Sequence, residues 1–191
     1  MQPPAVVEAA AEALAERVDA SERELARRFV RLFCATAPAD LFHERDVATL
    51  ALMALGAFRF LQEARDDHVD VQVLNPGRDA EAWAAPVTVI RTRVTERPFV
   101  VDTIREYLRS REFDIVWFIY PVLRVARDAS GRIVELGPAA EGDPRESLTH
   151  CEVPRISDTG EHEEIAGAIR RSLEDVIKAT DDFGRMVEAA H

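Results

Sequence analysis

The sequence predicts an α+β chain, with an amino-terminal helical bundle at residues 1–66 and then, at 67–191, an antiparallel sheet with two helices on one face. Three observations carry this expectation. Apolar residues recur at helical spacing as far as Leu61, the period shortens to two at Val69, and from Val87 the order reads strand, helix, strand, strand, helix.

The first helix is read from Val6, Ala10, Ala13 and Val18. A second begins at Ser21, where Glu24 three residues on completes a capping-box pattern, and Leu25, Phe29, Leu32 and Phe33 form its apolar stripe. It should end at Ala37-Pro38, because the residue before a proline is pushed out of helical geometry. A third helix follows Asp46, with Leu50, Met53, Ala54, Ala57, Phe58 and Leu61 on one broad face. These helices form the bundle.

Val69, Val71 and Val73 alternate with Asp70 and Gln72 in a short strand that stops at Asn75-Pro76-Gly77. Val87 to Val94 is a second strand, and Trp83 between the two reads as a loop anchor. Pro98 suits the first position of a helix that runs to about Arg109, with Val101, Ile104 and Leu108 buried. The run Phe113 to Ile119 is apolar on both faces, which predicts a central strand of a covered sheet. Pro121 should mark a bulge or an edge there. Leu123 and Val125 then lead through the turn Asp128-Ala129-Ser130-Gly131 to a partner strand at Ile133 to Leu136. Residues 137–146, rich in Pro, Gly and acid, read as a mobile loop, and Leu148 to Val153 as a strand. Ser157 or Asp158 caps a last helix whose stripe is Ile165, Ile169, Leu173, Val176 and Ile177, reaching Phe183 and Met186.

That order is most of a ferredoxin-like unit, with one strand missing. The Val69 to Val73 strand is expected to fill the vacant edge by pairing with Val87 to Val94, a permuted arrangement.

Composition excludes several function classes. The 191 residues carry 24 Lys and Arg against 35 Asp and Glu, a net charge of −11, which repels phosphate backbones and anionic membrane surfaces. Nucleic acid and membrane are not expected partners. Two cysteines, Cys34 and Cys151, are too few and too distant for a disulfide framework, which fits a reducing cytoplasm. The segment MQPPAVVEAAAEALAERVDAS is broken by Glu8, Glu12 and Glu16, so it reads as neither signal peptide nor membrane span.

Catalytic signatures are missing. The eight glycines form no GxGxxG, so no dinucleotide site is expected in this segment. His150 and Glu152 share a strand face, which reads as solvated rather than as a metal or acid-base site, and Cys151 faces the opposite way as a small core residue. The strand-to-helix junction is the better candidate for binding. Helix N-terminal N–H groups and Arg97 suit an amino-acid carboxylate, Glu96 or Asp102 an ammonium, and Phe99 lies between them. The competing reading is structural: Asp102 favours the helix start and Arg97 makes a surface pair. Arg91 and Arg93 could instead line an interface.

The wording of Pro98-Phe99-Val100-Val101-Asp102, Pro121-Val122-Leu123-Arg124-Val125, Arg127-Asp128 and Gly131-Arg132 resembles the amino-terminal region of the large bacterial NAD-specific glutamate dehydrogenases. Val73-Leu74-Asn75-Pro76 and Glu146-Ser147-Leu148 extend the resemblance over nearly all the chain from about Ser21. It departs at Tyr120, where the family usually has histidine, and at Trp117 and Phe118, which are bulkier than the usual aliphatics. The resemblance implies an ACT-like regulatory fold, with NAD bound elsewhere in a parent enzyme that oxidises L-glutamate. It implies a non-catalytic regulatory and assembly module, with a possible amino-acid effector, other domains of the parent and a homo-oligomer as partners. The alternative is a stand-alone ACT-like sensing or interaction protein. The last helix stops without a Gly or Pro terminator, which favours a continuing chain.

Overall fold

A computed structural model describes residues 4–63, 69–77, 81–140 and 142–189. The 66/67 boundary, His68, His191 and the side chains of Phe183 and Met186 lie outside the described residues. Helices α1 (Pro4–Ala15), α2 (Arg23–Ala35), α3 (Leu41–Glu44) and α4 (Val47–Gln62) precede strands β1 (Val69–Leu74) and β2 (Val87–Thr95). Then come α5 (Val100–Ser110), β3 (Trp117–Ile119), β4 (Val122–Arg127), β5 (Ile133–Pro138), β6 (Arg145–Pro154) and α6 (Thr159–Ala189). The strands form one antiparallel sheet in the order β1-β2-β6-β4-β5, with β3 also on β6.

The sheet separates two cores. On one face Val69, Val71, Ile90, Val94, Cys151 and Val153 pack against Ile104 and Leu108 of α5 and Ile165, Ile169 and Leu173 of α6. On the other, Val87, Val89, Ile119, Leu123 and Leu148 share a core with the helical layer, where Phe29, Phe33 and Phe58 are buried together. Two helices on one face, after an amino-terminal helical bundle, is the arrangement read from the sequence; that the bundle covers the other face is added by the structure. The permuted edge is also observed, since Val71 lies opposite Thr92 in the β1–β2 ladder.

Local signals explain most boundaries. Asp46 caps α4 by accepting a hydrogen bond from Thr49 N at 2.7 Å, and Asp158 does the same for Gly160 N at 2.8 Å ahead of α6. Asp128 Oδ1 accepts from Ser130 N and Arg132 N, and Gly131 at φ +80° closes the hairpin turn, where a side chain would be strained.

Several expectations need correction. No capping box forms at Ser21: residues ahead of α2 make a turn, Glu22 N bonding Asp19 O at 2.9 Å, and Glu22 takes the cap position without a side-chain bond to the helix start. Pro98 lies in a turn, because Phe99 adopts the left-handed region at φ 71° and α5 begins only at Val100. The 113–119 run is not a central strand. Only 117–119 are in the sheet, Ile115 and Val116 are exposed, and the central places belong to β2 and β6. Pro121 is the reason for the short strand: it has no N–H for the ladder and splits β3 from β4, although its carbonyl still accepts from Leu148 N at 3.1 Å. Part of the 137–146 loop is strand, with Gly137 and Pro138 opposite Arg124 and Leu123, and β6 starting at Arg145.

Candidate functional site

The strand-to-helix junction after β2 is divided between two surroundings. Tyr120 donates its hydroxyl hydrogen to Glu96 Oε2 at 2.9 Å, and burial pushes the Tyr120 pKa up. Arg97 pairs with Asp181 of α6. Phe99 is 65% exposed, and with Asp102 it lines a shallow groove completed by Thr103, Glu106, Tyr107 and Ser172. Glu96 and Arg97 do not line that groove, so the structure brings together two of the four candidate residues.

A denser constellation lies inside the protein, on the sheet face beneath the helical layer. Arg91 on β2 and His150 and Glu152 on β6 are all 0% exposed. The solvated face read for His150 and Glu152 is therefore wrong, and Arg91 lies within the interior rather than on an outer surface. The reason is phase: these residues alternate in step with Val87, Val89 and Leu148, which belong to the core. That phase was the legible signal, overridden by their charge.

Hydrogen bonds and one cation–π contact close these residues into a ring. Arg91 reaches Glu81 through both terminal nitrogens, NH2 at 3.0 Å, and NH1 also reaches Gln72 Oε1 at 3.0 Å. Its Nε donates to His150 Nδ1 at 3.2 Å. A guanidinium cannot accept, so Nδ1 carries a lone pair and the imidazole hydrogen sits on Nε2, 3.5 Å from Glu152 Oε1. Arg45 NH2 bonds Glu152 Oε2 at 2.8 Å, and the Arg45 guanidinium lies 5.9 Å from the centre of the Trp83 ring. Trp83 Nε1 closes the circuit on Glu81 Oε2 at 2.8 Å.

With His150 neutral, two cations balance two carboxylates, which is the condition for burying charge. Burial lowers the His150 pKa, the bond to Glu152 opposes this, and the Arg91 charge reinforces it. Burial alone would raise Glu152 and Glu81, but His150 and Arg45 outweigh it for Glu152, and Arg91 for Glu81, so both are lowered.

Gly56 of α4 makes the ring possible. A Cβ there would lie 2.1 Å from Glu81 Oε1 and 2.8 Å from Arg91 NH2. Sequence reading missed Arg45, Gly56, Gln72 and Glu81 because they converge from four separate segments. A second pair lies farther along the same face: Arg93 on Asp70, with Arg127 bonding Glu146 and the carbonyls of Leu61 and Gly131. Among the described residues, no three or more His, Cys, Asp or Glu side chains are placed to hold a metal ion. No helix among them is long and apolar enough to cross a membrane.

A ferredoxin-like antiparallel sheet carrying α5 and α6 on one face defines the class as an ACT-like α+β domain. Residues 29–169 match the glutamate dehydrogenase ACT1 domain, and the chain belongs to that family. It is 31% identical over 178 residues to an NAD-specific glutamate dehydrogenase of Halomonas elongata, an alignment covering 92% of this chain and 11% of that protein. Against the NAD-specific glutamate dehydrogenase of Pseudomonas aeruginosa it is 29% identical over 161 residues, or 83% of this chain and 10% of the relative. The chain thus spans about a tenth of the length of these curated relatives. No solved structure matches it.

Proposed function

We propose that this chain is a non-catalytic regulatory and assembly module of an NAD-dependent glutamate dehydrogenase, the parent oxidising L-glutamate to 2-oxoglutarate and ammonia. The observation that carries the reading is the ACT1-domain match over residues 29–169, in a chain that aligns with about a tenth of much longer dehydrogenases. NAD and the chemistry belong to other parts of the parent. The module divides into a helical subdomain at 1–66 and an ACT-like domain at 67–191, and it acts through contacts with other domains and through self-association in the cytoplasm.

An amino-acid effector is assigned to the junction of Glu96, Arg97, Phe99 and Asp102. The exposure of Phe99 supports this assignment, as does the first-turn Asp102 beside it in the groove. The test is the full-length dehydrogenase with and without this segment. Altered oligomeric state, kinetics or effector response on deletion is the expected result, and a deletion that changes none of the three refutes the proposal. Calorimetric titration of the segment with glutamate, aspartate and arginine checks the effector assignment separately.

A further inference from the structure

We propose that α5 is a strap poised to lift from the sheet, hinged at Phe99 and Glu112 and clipped to α6 by an ion pair at each end. This goes beyond the module reading and does not rest on it. Phe99 and Glu112 are the two non-glycine residues with positive φ among the described residues, at 71° and 57°, and they bracket α5. At the far end Glu112 N bonds Arg109 O and Phe113 N bonds Leu108 O, both at 3.0 Å, a closure whose left-handed position usually belongs to glycine. Other residues held there are strained, and each hinge sheds that strain when α5 swings out.

The sheet beneath adds a second cost. Thr92 of β2 and Thr149 of β6 lie opposite one another on the face that α5 and α6 cover, alternating with Ile90, Val94, Cys151 and Val153, and both are buried. Neither hydroxyl has a hydrogen-bond partner, a deficit that water repairs once the helix rises. The helix α5 lies over the β6 side of this face: the Arg105 guanidinium is 4.6 Å from the centre of the Phe118 ring, and Phe118 is opposite Cys151. Against release stand the burial of Val100, Ile104 and Leu108 and the two clips. Arg97 pairs with Asp181 ahead of α5, and Arg111, just past its end, pairs with Glu161 at 3.1 Å. These four side chains are 26% to 46% exposed, so salt weakens both pairs.

The test is amide hydrogen exchange of the 191-residue chain, followed for residues 104–110 of α5 and for β2 and β6 at about 0.05 M and about 0.5 M salt. Residues 104–110 should open together and be protected about tenfold less, or weaker still, than the two central strands, with protection falling further at high salt. D181N/E161Q removes both clips without touching α5; it should lower that protection about fivefold at low salt and abolish most of the salt response. E112G should raise it about fivefold by relieving one hinge. T92V/T149V should raise it too, since the seated helix then covers no unpartnered hydroxyl. Urea unfolding checks that each variant is folded. Protection of α5 equal to that of β2 and β6, with no separate opening, would overturn the proposal. So would an α5 indifferent to salt and to D181N/E161Q, or one that neither E112G nor T92V/T149V protects.

Discussion

Gly56→Ala sets two effects of opposite sign against each other. In the interior of a helix such as α4, replacing Gly by Ala stabilises by about 1 kcal/mol, through helix propensity alone. The structure reverses that sign. The new Cβ would lie 2.1 Å from Glu81 Oε1, so the carboxylate must leave its position. A flexible side chain usually yields cheaply, but this one carries both terminal bonds to Arg91 and the bond from Trp83. Removing a partner from a buried charge costs about 3–5 kcal/mol. Arg91 keeps Gln72 and His150, which places the loss at the lower end, about 3 kcal/mol on that range, and the net at about 2 kcal/mol of destabilisation after the propensity gain. For a chain of this size that corresponds to a fall of about 4–8 °C in Tm, measured by scanning calorimetry or circular dichroism. In E81A the same Gly56→Ala change should cost less, since the two positions share a partner and do not add. A G56A protein as stable as wild type, or more so, would refute the close packing of Gly56 on the Glu81–Arg91 pair.

Three further outcomes are expected. Phe29→Ala, which removes a fully buried ring stacked on Phe33 at 5.6 Å and tilted on Phe58 at 5.4 Å, should cost about 3–5 kcal/mol in urea unfolding. Phe99→Gly should stabilise by about 1 kcal/mol, because Phe99 holds φ 71° while mostly exposed, and by thermal denaturation it should separate backbone strain from any loss of effector binding. Acidification should destabilise in two steps. His150 is held below its ordinary 6.5, so the unfolded chain binds its proton first and stability falls as pH drops from that value. Glu81 and Glu152, both held below 4.5, contribute stability above that value and lose it as pH falls through their folded pKa values. Urea midpoints measured from pH 7 to 4 in wild type and in His150→Phe should show the first step vanish in the variant.

The legibility of this chain varied with the range of the interaction. Asp46, Asp158 and the Asp128–Gly131 turn act on neighbours within four residues, so their roles could be read directly from the letters. The apolar run 113–119 looked like a central strand, because hydrophobicity on both faces reports burial but not position in the sheet order. Pro121 and the pairing of β2 with β6 decided that position. At the strand-to-helix junction after β2 the residues were legible, but their separation was not, since Tyr120 and Asp181 come from the β3–β4 connection and α6.

The sequence by itself determined the α+β class, the helical layer before the sheet and the strand that fills the permuted edge, because hydrophobic periodicity encodes which face of each element avoids water. Its wording also pointed to the glutamate dehydrogenase family before any geometry was available. Only the tertiary structure decided that Arg91, His150 and Glu152 are interior. A charged letter on a strand reads as solvated until partners such as Glu81, Arg45 and Trp83 arrive from distant segments to neutralise it.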